Sequence, residues 1–198
     1  TYTFHIRENA TWVTWKGEYY ANVTADDFVA GLEYVLDRAN GSTSAGFAYP
    51  VIKNAKAYYM QEITDFSQVG VKAVDEHTLT YTLCFDFPGF VSLLSYAPYE
   101  PAYGPLLEEL GDQFCTSAET ACSCGAFYLA EYVPLESWVM KKNPENYDKD
   151  NVYIDTIRYI YNQEELISGP EMVRRGEIDQ ATISSDILDS WLSDDTTK

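Results

Sequence analysis

Acidic side chains stand in adjacent pairs at several places in this chain, and paired carboxylates are groups that acid and base catalysis can use. Three such pairs are Asp26 with Asp27, Glu108 with Glu109, and Glu164 with Glu165. Neighbours on a helix point in different directions, so the members of one pair cannot flank a single bond as glycosidase carboxylates do. The sequence contains neither a Gly-rich phosphate loop nor a Gly-x-Ser-x-Gly nucleophile motif. We therefore expect a protein that is not an enzyme, with an acidic secreted carbohydrate-active hydrolase as an alternative.

Cysteines offer a second possible chemistry, because Cys115, Cys122 and Cys124 lie close together and only Cys84 stands apart. The spacing lacks the paired Cys-x-x-Cys of zinc ribbons, and the two histidines, His5 and His77, are far from the cluster in sequence. We predict no metal site and no cofactor. A disulfide and free buried thiols both remain open for the cluster.

Charge excludes nucleic acid as a partner, and composition predicts a chain that folds. The 198 residues carry a formal charge of −18, so a nucleic acid would be repelled. Hydrophobic residues make up 46% of the chain, which is enough for real cores, yet no apolar run approaches the roughly 20 residues that span a bilayer. We expect a folded protein that does not bind DNA or RNA.

Tyrosine is unusually frequent, with 17 copies. Its stiff apolar ring and hydroxyl suit a site that accepts many ligands. We expect most of these tyrosines to be structural, because Tyr81, Tyr128, Tyr132, Tyr159 and Tyr161 lie in strand-like segments, where aromatic residues fit a half-buried surface. Because binding residues favour loops on a rigid scaffold, we select the loop aromatics Phe47, Tyr49, Tyr96 and Tyr99 as candidate ligand contacts.

A helix from Asn22 to Asp37 is predicted by complete start and stop signals. Thr24 and Asp27 can form a capping box, and Val23 can pack on Phe28 outside it. Apolar residues follow at helical spacing, and Asn40 with Gly41 is a common left-handed exit.

Alternating and helical patterns predict the remaining elements. A hairpin joins Val69–Val74 to Thr78–Leu83, with His77 as a turn residue rather than a catalytic base. The others are a hairpin at Ala126–Val133 and Trp138–Lys142, a strand at Ile154–Tyr161, a helix at Leu106–Leu110, and a helix at Asp186–Leu192 capped by Ser184 or Ser185.

The order of these segments resembles the oligopeptide and dipeptide branch of the extracellular solute-binding proteins, the receptors of peptide ABC importers. The segments that carry the resemblance are Tyr2 to Arg7, Val23 to Leu36, Ile52 to Tyr58, Val69 to Leu83, Gly125 to Tyr132, Lys142 to Asp150 and Arg175 to Asp179. Three departures stand out: no Trp accompanies Tyr147, Trp12 to Asn22 replaces a short Asp-Gly-Pro turn, and Cys124 stands where the family leads us to expect Asn.

The resemblance implies an α+β fold, a mixed-sheet, two-subdomain portion of a periplasmic-binding-protein-like receptor. We expect an internal fragment, with residues 1–120 as a small inserted subdomain of the first lobe and residues 121–198 as part of the main first lobe. The boundary is placed near Thr120, in a small, polar, cysteine-bearing stretch.

The implied function is the substrate-binding component of an ABC importer, with oligopeptides as the leading ligand and membrane permease subunits as partners. The implied location is extracellular, as a cell-envelope-attached lipoprotein, or periplasmic, and such locations keep disulfides. We therefore predict one bridge among Cys115, Cys122 and Cys124. Cys124, Gly125 and Ser184 join the candidate ligand contacts. A surface adhesion module remains a further alternative.

Overall fold

The computed structural model describes residues 1–161 and 169–193, so the pair Glu164 and Glu165 lies outside the described residues. Strands and helices are mixed along the chain, which confirms the α+β class. The strands are β1 (Tyr2–His5), β2 (Thr11–Val13), β3 (Tyr19–Asn22), β4 (Val71–Asp75), β5 (Thr78–Tyr81), β6 (Phe127–Val133), β7 (Ser137–Lys142) and β8 (Thr156–Ile160). The helices are α1 (Ala25–Leu36), α2 (Ala55–Tyr59), α3 (Phe90–Leu93), α4 (Gly104–Leu110), α5 (Gly169–Arg174) and α6 (Ser185–Ser193). Within the described ranges, every helix is too short or too polar to cross a membrane.

Three small sheets contain the strands, in the orders β1-β5-β4, β2-β3 and β6-β7-β8. The first is antiparallel and pairs Tyr2 with Tyr81 and Val71 with Tyr81, so β5 is its central strand. The predicted hairpin at Val69 to Leu83 is confirmed as β4 and β5, and His77 lies in their turn. The pair β2 and β3 was not predicted, because the two strands are short and a bulge interrupts their register between Trp12 and Val13.

Helix α1 begins as its sequence predicts. Thr24 is the N-cap and forms the capping box with Asp27, whose Oδ2 accepts the Thr24 backbone N–H at 2.9 Å. The helix ends at Leu36, before the predicted exit. A 3₁₀ turn at Arg38–Asn40 continues the chain to Gly41, which adopts the expected left-handed conformation at φ 63°.

The main hydrophobic core lies where α1 packs on β4 and β5. Its fully buried members include Leu32 and Leu36 of the helix together with Ile52, Val69 and Phe90. Each such side chain contributes roughly 1.5–3 kcal/mol by leaving water. This core is the rigid support for the loops that carry the candidate aromatic residues.

Asp27 joins three elements through one buried carboxylate that is 3% exposed. Besides the Thr24 amide, Oδ2 accepts the Trp12 indole N–H of β2 at 2.9 Å. Oδ1 accepts the Gly104 backbone N–H, at the start of α4, at 3.4 Å. In the acidic pair Asp26 and Asp27, Asp27 therefore has a structural role, because hydrogen-bond donors surround its carboxylate.

The chain divides into two compact units, residues 1–132 with 139–157, and residues 133–138 with 158–198. This division does not fall at the predicted boundary near Thr120. Val13 and Ser123, on either side of that boundary, exchange two backbone hydrogen bonds of 2.8 and 3.0 Å, which tie the two segments together. The assignment of residues 1–120 and 121–198 to parts of a lobe stays a prediction.

The other predicted elements are present with small shifts of their ends. Both strands of the second hairpin occur as β6 and β7, and the strand that was predicted from Ile154 occurs as β8. Helix α4 begins two residues before its predicted start, and α6 begins at Ser185, so Ser184 directly precedes it. Helices α2 and α5 were not predicted, since five or six residues carry too little periodicity.

Candidate ligand-binding site

Phe47 and Tyr96, two of the predicted ligand contacts, are brought together by the structure. Phe47 ends a 3₁₀ turn at Ala45–Phe47, and Tyr96 precedes the turn at Ala97–Tyr99. Their rings stack with centroids 5.2 Å apart and an interplanar angle of 25°. The two residues remain 48% and 50% exposed. A stacked, half-exposed aromatic pair presents a flat apolar face to any ligand that reaches it.

Tyr99 is a buried residue that supports this aromatic pair and does not itself face a ligand. It is 3% exposed, and its hydroxyl donates to the Phe47 carbonyl oxygen at 3.0 Å. Its ring packs edge-on against Tyr81 and Phe90 of the core, and burial raises the pKa of the Tyr99 hydroxyl. The expectation that Tyr99 is an exposed loop contact is wrong, because the core encloses its ring.

Tyr49, another predicted ligand contact, packs against an aromatic residue of α2. Its ring stacks on Tyr59 of α2 at 4.9 Å and 22°, and it packs against the hydrophobic core. The Arg38 guanidinium lies over the other ring of this stack, 6.0 Å from the Tyr59 centroid. Tyr49 is thus partly occupied by intramolecular contacts, and its role as a ligand contact stays a prediction.

Cys124 and Gly125 lie in the short segment between the Ser123 bridge and β6. Gly125 is exposed, whereas Cys124 is partly buried. Burial raises the pKa of the Cys124 thiol to about 11, with Asp27 and Glu100 adding to the rise. The thiol is therefore protonated at neutral pH and is a poor nucleophile. The buried residue Asn143, which sequence reasoning missed, donates to the Gly125 carbonyl oxygen at 2.9 Å.

Ser184 belongs to the second compact unit and is exposed just before α6. Its carbonyl oxygen accepts the Ile187 backbone N–H at 3.2 Å. Its hydroxyl hydrogen-bonds to Asp186, which is the main cause of a lowered Asp186 pKa. These contacts make Ser184 the residue that starts the helix, while its contact with ligand stays a prediction.

All four cysteines are free thiols in the structure, so the predicted disulfide is not formed there. Cys122 is half-buried, and burial raises its thiol pKa to about 12, with smaller contributions from Cys115 and Cys124. A protonated thiol in an apolar setting is stable without a bridge. In residues 1–161 and 169–193, no cluster of three or more His, Cys, Asp and Glu side chains could hold a metal ion.

A separate pocket of about 320 Å³ lies between α1, α2 and α4, away from the aromatic pair. It is lined by Ala30, Glu33, Tyr34, Asp37, Asn40, Tyr58, Gly104, Leu107 and Glu108. Burial raises the pKa of Glu33, although the hydrogen bond from Tyr58 lowers it again and the nearby Asp37 adds a small rise. The pocket thus gathers carboxylates from two helices, a convergence that the adjacent pairs in the sequence did not reveal.

Comparison with known proteins gives one consistent answer. The model of the bacterial extracellular solute-binding proteins, family 5 Middle, matches residues 1–197. The oligopeptide-binding protein AliA of Streptococcus pneumoniae is 38% identical over 160 residues, 80% of this chain and 24% of AliA. The dipeptide-binding protein DppE of Bacillus subtilis is 31% identical over 198 residues, 98% of this chain and 34% of DppE.

A solved structure gives the same result for the fold. The substrate-binding domain of an oligopeptide ABC transporter from Bacillus anthracis superposes with a TM-score of 0.83 at 30% identity, over 98% of this chain and 36% of that one. The chain therefore spans about a quarter to a third of the length of the relatives it matches. The resemblance predicted from the order of sequence segments is confirmed, and the chain belongs to family 5 of the bacterial extracellular solute-binding proteins.

Proposed function

We propose that this chain is part of the substrate-binding component of an ABC importer that takes oligopeptides. The observation that carries the proposal is the stacked pair Phe47 and Tyr96, half exposed on loops that the core holds rigid. Family membership supports the same conclusion, since the relatives AliA and DppE are named for binding oligopeptides and dipeptides. The protein acts by binding rather than by catalysis.

The chemistry of the pair suits peptides of varied sequence. A flat aromatic face packs against aliphatic and aromatic side chains alike, and it loses little conformational entropy on binding. Affinity for an extended peptide then comes from main-chain hydrogen bonds, as in strand addition. A second lobe closes over the ligand about a hinge, and the closed receptor delivers it to membrane permease subunits. The receptor works outside the membrane, either periplasmic or attached to the cell envelope as a lipoprotein.

Substitution of the aromatic pair in the full-length receptor tests this proposal. A thermal-shift screen with a peptide library first identifies a ligand, because a tight ligand raises the thermal midpoint by mass action. Calorimetry then compares the wild type with Phe47→Ala and Tyr96→Ala. Loss of one contacting ring should cost about 1.4–2.7 kcal/mol, which is a 10- to 100-fold weaker affinity.

Tyr153→Ala is the matched control, because Tyr153 is a tyrosine of the same unit that is 86% exposed. Its affinity should equal that of the wild type. Wild-type affinity in both Phe47→Ala and Tyr96→Ala would remove the aromatic pair from the binding site and leave the proposal without its main support.

The acidic pocket gives one observation in favour of the alternative hydrolase, because Glu33 and Glu108 come from different helices and Glu33 has a raised pKa. The Tyr58 hydroxyl, however, already donates to Glu33 and stabilises its charged form. Release of reducing sugar from a polysaccharide panel, lost in Glu33→Gln, would support the hydrolase. We expect no release above background.

A further inference from the structure

Gly125 is a glycine for which the described part of the chain gives no structural reason. Its φ angle lies outside the left-handed region that favours glycine, and a Cβ built on it would meet no atom within 4 Å. Gly17, by contrast, has a φ of +76° and lies with its Cβ position 2.8 Å from the Tyr128 ring. Only Gly46, beside Phe47, shares both properties of Gly125 among the described glycines.

A glycine without an internal constraint commonly marks a place where another backbone or a ligand approaches closely. The space above Gly125 is open, and the residue is exposed. Its neighbours are nevertheless fixed, since Ser123 pairs with Val13 on one side and the Ala126 carbonyl accepts the Asn143 backbone N–H at 2.9 Å on the other. Gly125 is therefore an exposed residue without a side chain, and backbone hydrogen bonds on both sides fix the segment that contains it.

The side chain of Asn143 holds this peptide unit directly. Asn143 is 0% exposed, and both ends of its carboxamide are hydrogen-bonded. Nδ2 donates to the Gly125 carbonyl oxygen at 2.9 Å, and Oδ1 accepts the Glu145 backbone N–H at 2.9 Å. A buried amide is costly unless every such bond is made, so its presence fixes one orientation of the Gly125 carbonyl.

Only a side chain with a donor at one end and an acceptor at the other satisfies both partners. Aspartate keeps the acceptor that Glu145 needs but turns an oxygen towards the Gly125 carbonyl, where two acceptors would repel. The carbonyl oxygen has two lone pairs, and Asn143 uses one of them. The geometry thus orients the Gly125 peptide unit without closing it to a second hydrogen-bond partner.

On the basis of the proposed function, we propose that Gly125 is a main-chain contact for the bound peptide. Asn143 is then the positioning residue that holds the Gly125 peptide unit. An extended peptide can approach a bare backbone to hydrogen-bonding distance, and a methyl group at 125 would keep it away. The segment recognises the backbone of the ligand and is indifferent to its sequence.

Gly125→Ala in the full-length receptor is the primary test. Because the added Cβ meets nothing and φ is ordinary, the thermal midpoint without peptide should equal or exceed that of the wild type. The affinity for a peptide that binds the wild type should fall at least tenfold, measured by calorimetry. Wild-type affinity in this variant would overturn the proposal. A lowered midpoint without peptide would also overturn it, since the receptor's own chain would then cover Gly125.

Asn143→Asp tests the positioning role, with Asn146→Asp as its control. Asn146 lies in the same loop, and its Oδ1 accepts the Asp148 backbone N–H at 2.9 Å, a bond that aspartate retains. Peptide affinity should fall in Asn143→Asp and stay unchanged in Asn146→Asp. The double variant with Asn143→Asp and Gly125→Ala should have a peptide affinity within about threefold of that of whichever single variant binds the peptide less tightly. The two losses overlap because both changes act on one contact.

If the losses of peptide affinity in the two single variants add fully in the double variant, Asn143 acts only on stability, and the positioning role is wrong. If Asn143→Asp does not fold, the Gly125→Ala result still decides whether the ligand contacts this segment. A wild-type receptor that binds no peptide would refute the proposed function itself, so the two failures are distinguishable.

Discussion

Asp27→Ala is the substitution whose cost follows most directly from the structure. The change leaves two donors, the buried Trp12 indole N–H and the part-buried Thr24 backbone N–H, without their shared acceptor. A buried donor that loses its partner costs about 1–3 kcal/mol, and the part-buried Thr24 amide lies at the low end of that range, so the free energy of unfolding should fall by about 2–4 kcal/mol. That is a large fraction of the total stability of a domain of this size, about 5–15 kcal/mol.

Urea unfolding followed by circular dichroism measures this change, and Asp26→Ala is the matched control. Asp26 is the exposed neighbour in the same first turn of α1, so its removal takes away only a helix-terminal charge of about 0.3–1 kcal/mol. Asp27→Asn should lie between the two, because its carboxamide oxygen can replace Oδ2 while its NH₂ faces the Gly104 N–H. An Asp27→Ala variant within about 0.5 kcal/mol of Asp26→Ala would refute the reasoning.

Four further substitutions test the packing and electrostatics of the first unit. Thr24→Ala should cost about 1 kcal/mol in the same urea assay because it removes half of the capping box, and an unchanged midpoint would show that the box contributes nothing. Tyr81→Phe should be neutral or stabilising, since the buried Tyr81 hydroxyl has no hydrogen-bond partner among the described residues. Tyr99→Phe should instead cost about 1 kcal/mol, because it removes the hydrogen bond to the Phe47 carbonyl oxygen. Burial raises the pKa of Glu33 in the folded state. The free energy of unfolding of the wild type should therefore fall as the pH rises from the pKa of Glu33 in the unfolded chain to its pKa in the folded chain. Glu33→Gln should be more stable than the wild type above that pH range and equally stable below it. Parallel stability curves for the two proteins at all pH values would contradict the Glu33 prediction.

Local signals explain the part of the fold that the sequence predicted. The capping box of α1, the hairpin of β4 and β5, and the Gly41 exit each depend on residues within a few positions of one another. Such patterns can be read directly, because the physical partners are also sequence neighbours.

Long-range partners explain the part that the sequence did not predict. The Asp27 carboxylate meets Trp12 across 15 positions, and the Asn143 amide meets Gly125 across 18. The capping box selects Asp27 over Asp26, but nothing in the linear pattern shows that the Asp27 carboxylate is buried. Tyr99 likewise lies in a loop-like stretch of sequence, and only the structure shows that the core encloses its ring. The candidate site could therefore be predicted only in part: the sequence suggested Phe47, Tyr96 and Tyr99 as loop aromatics, but not the stacking of Phe47 on Tyr96 or the burial of Tyr99. The role of Phe47 and Tyr96 as ligand contacts stays a prediction.

Peptide calorimetry on two proteins tests the central claim, that this chain forms part of the binding site of a peptide receptor. The full-length receptor should bind a peptide from the library screen saturably. The 198-residue chain alone should bind it at least about 100-fold more weakly, a loss of roughly 2.7 kcal/mol, because most of the ligand surface would stay in water. Absence of binding to any peptide by the full-length receptor would contradict the claim, and equal affinity of the isolated chain would show that its own aromatic residues form a complete site.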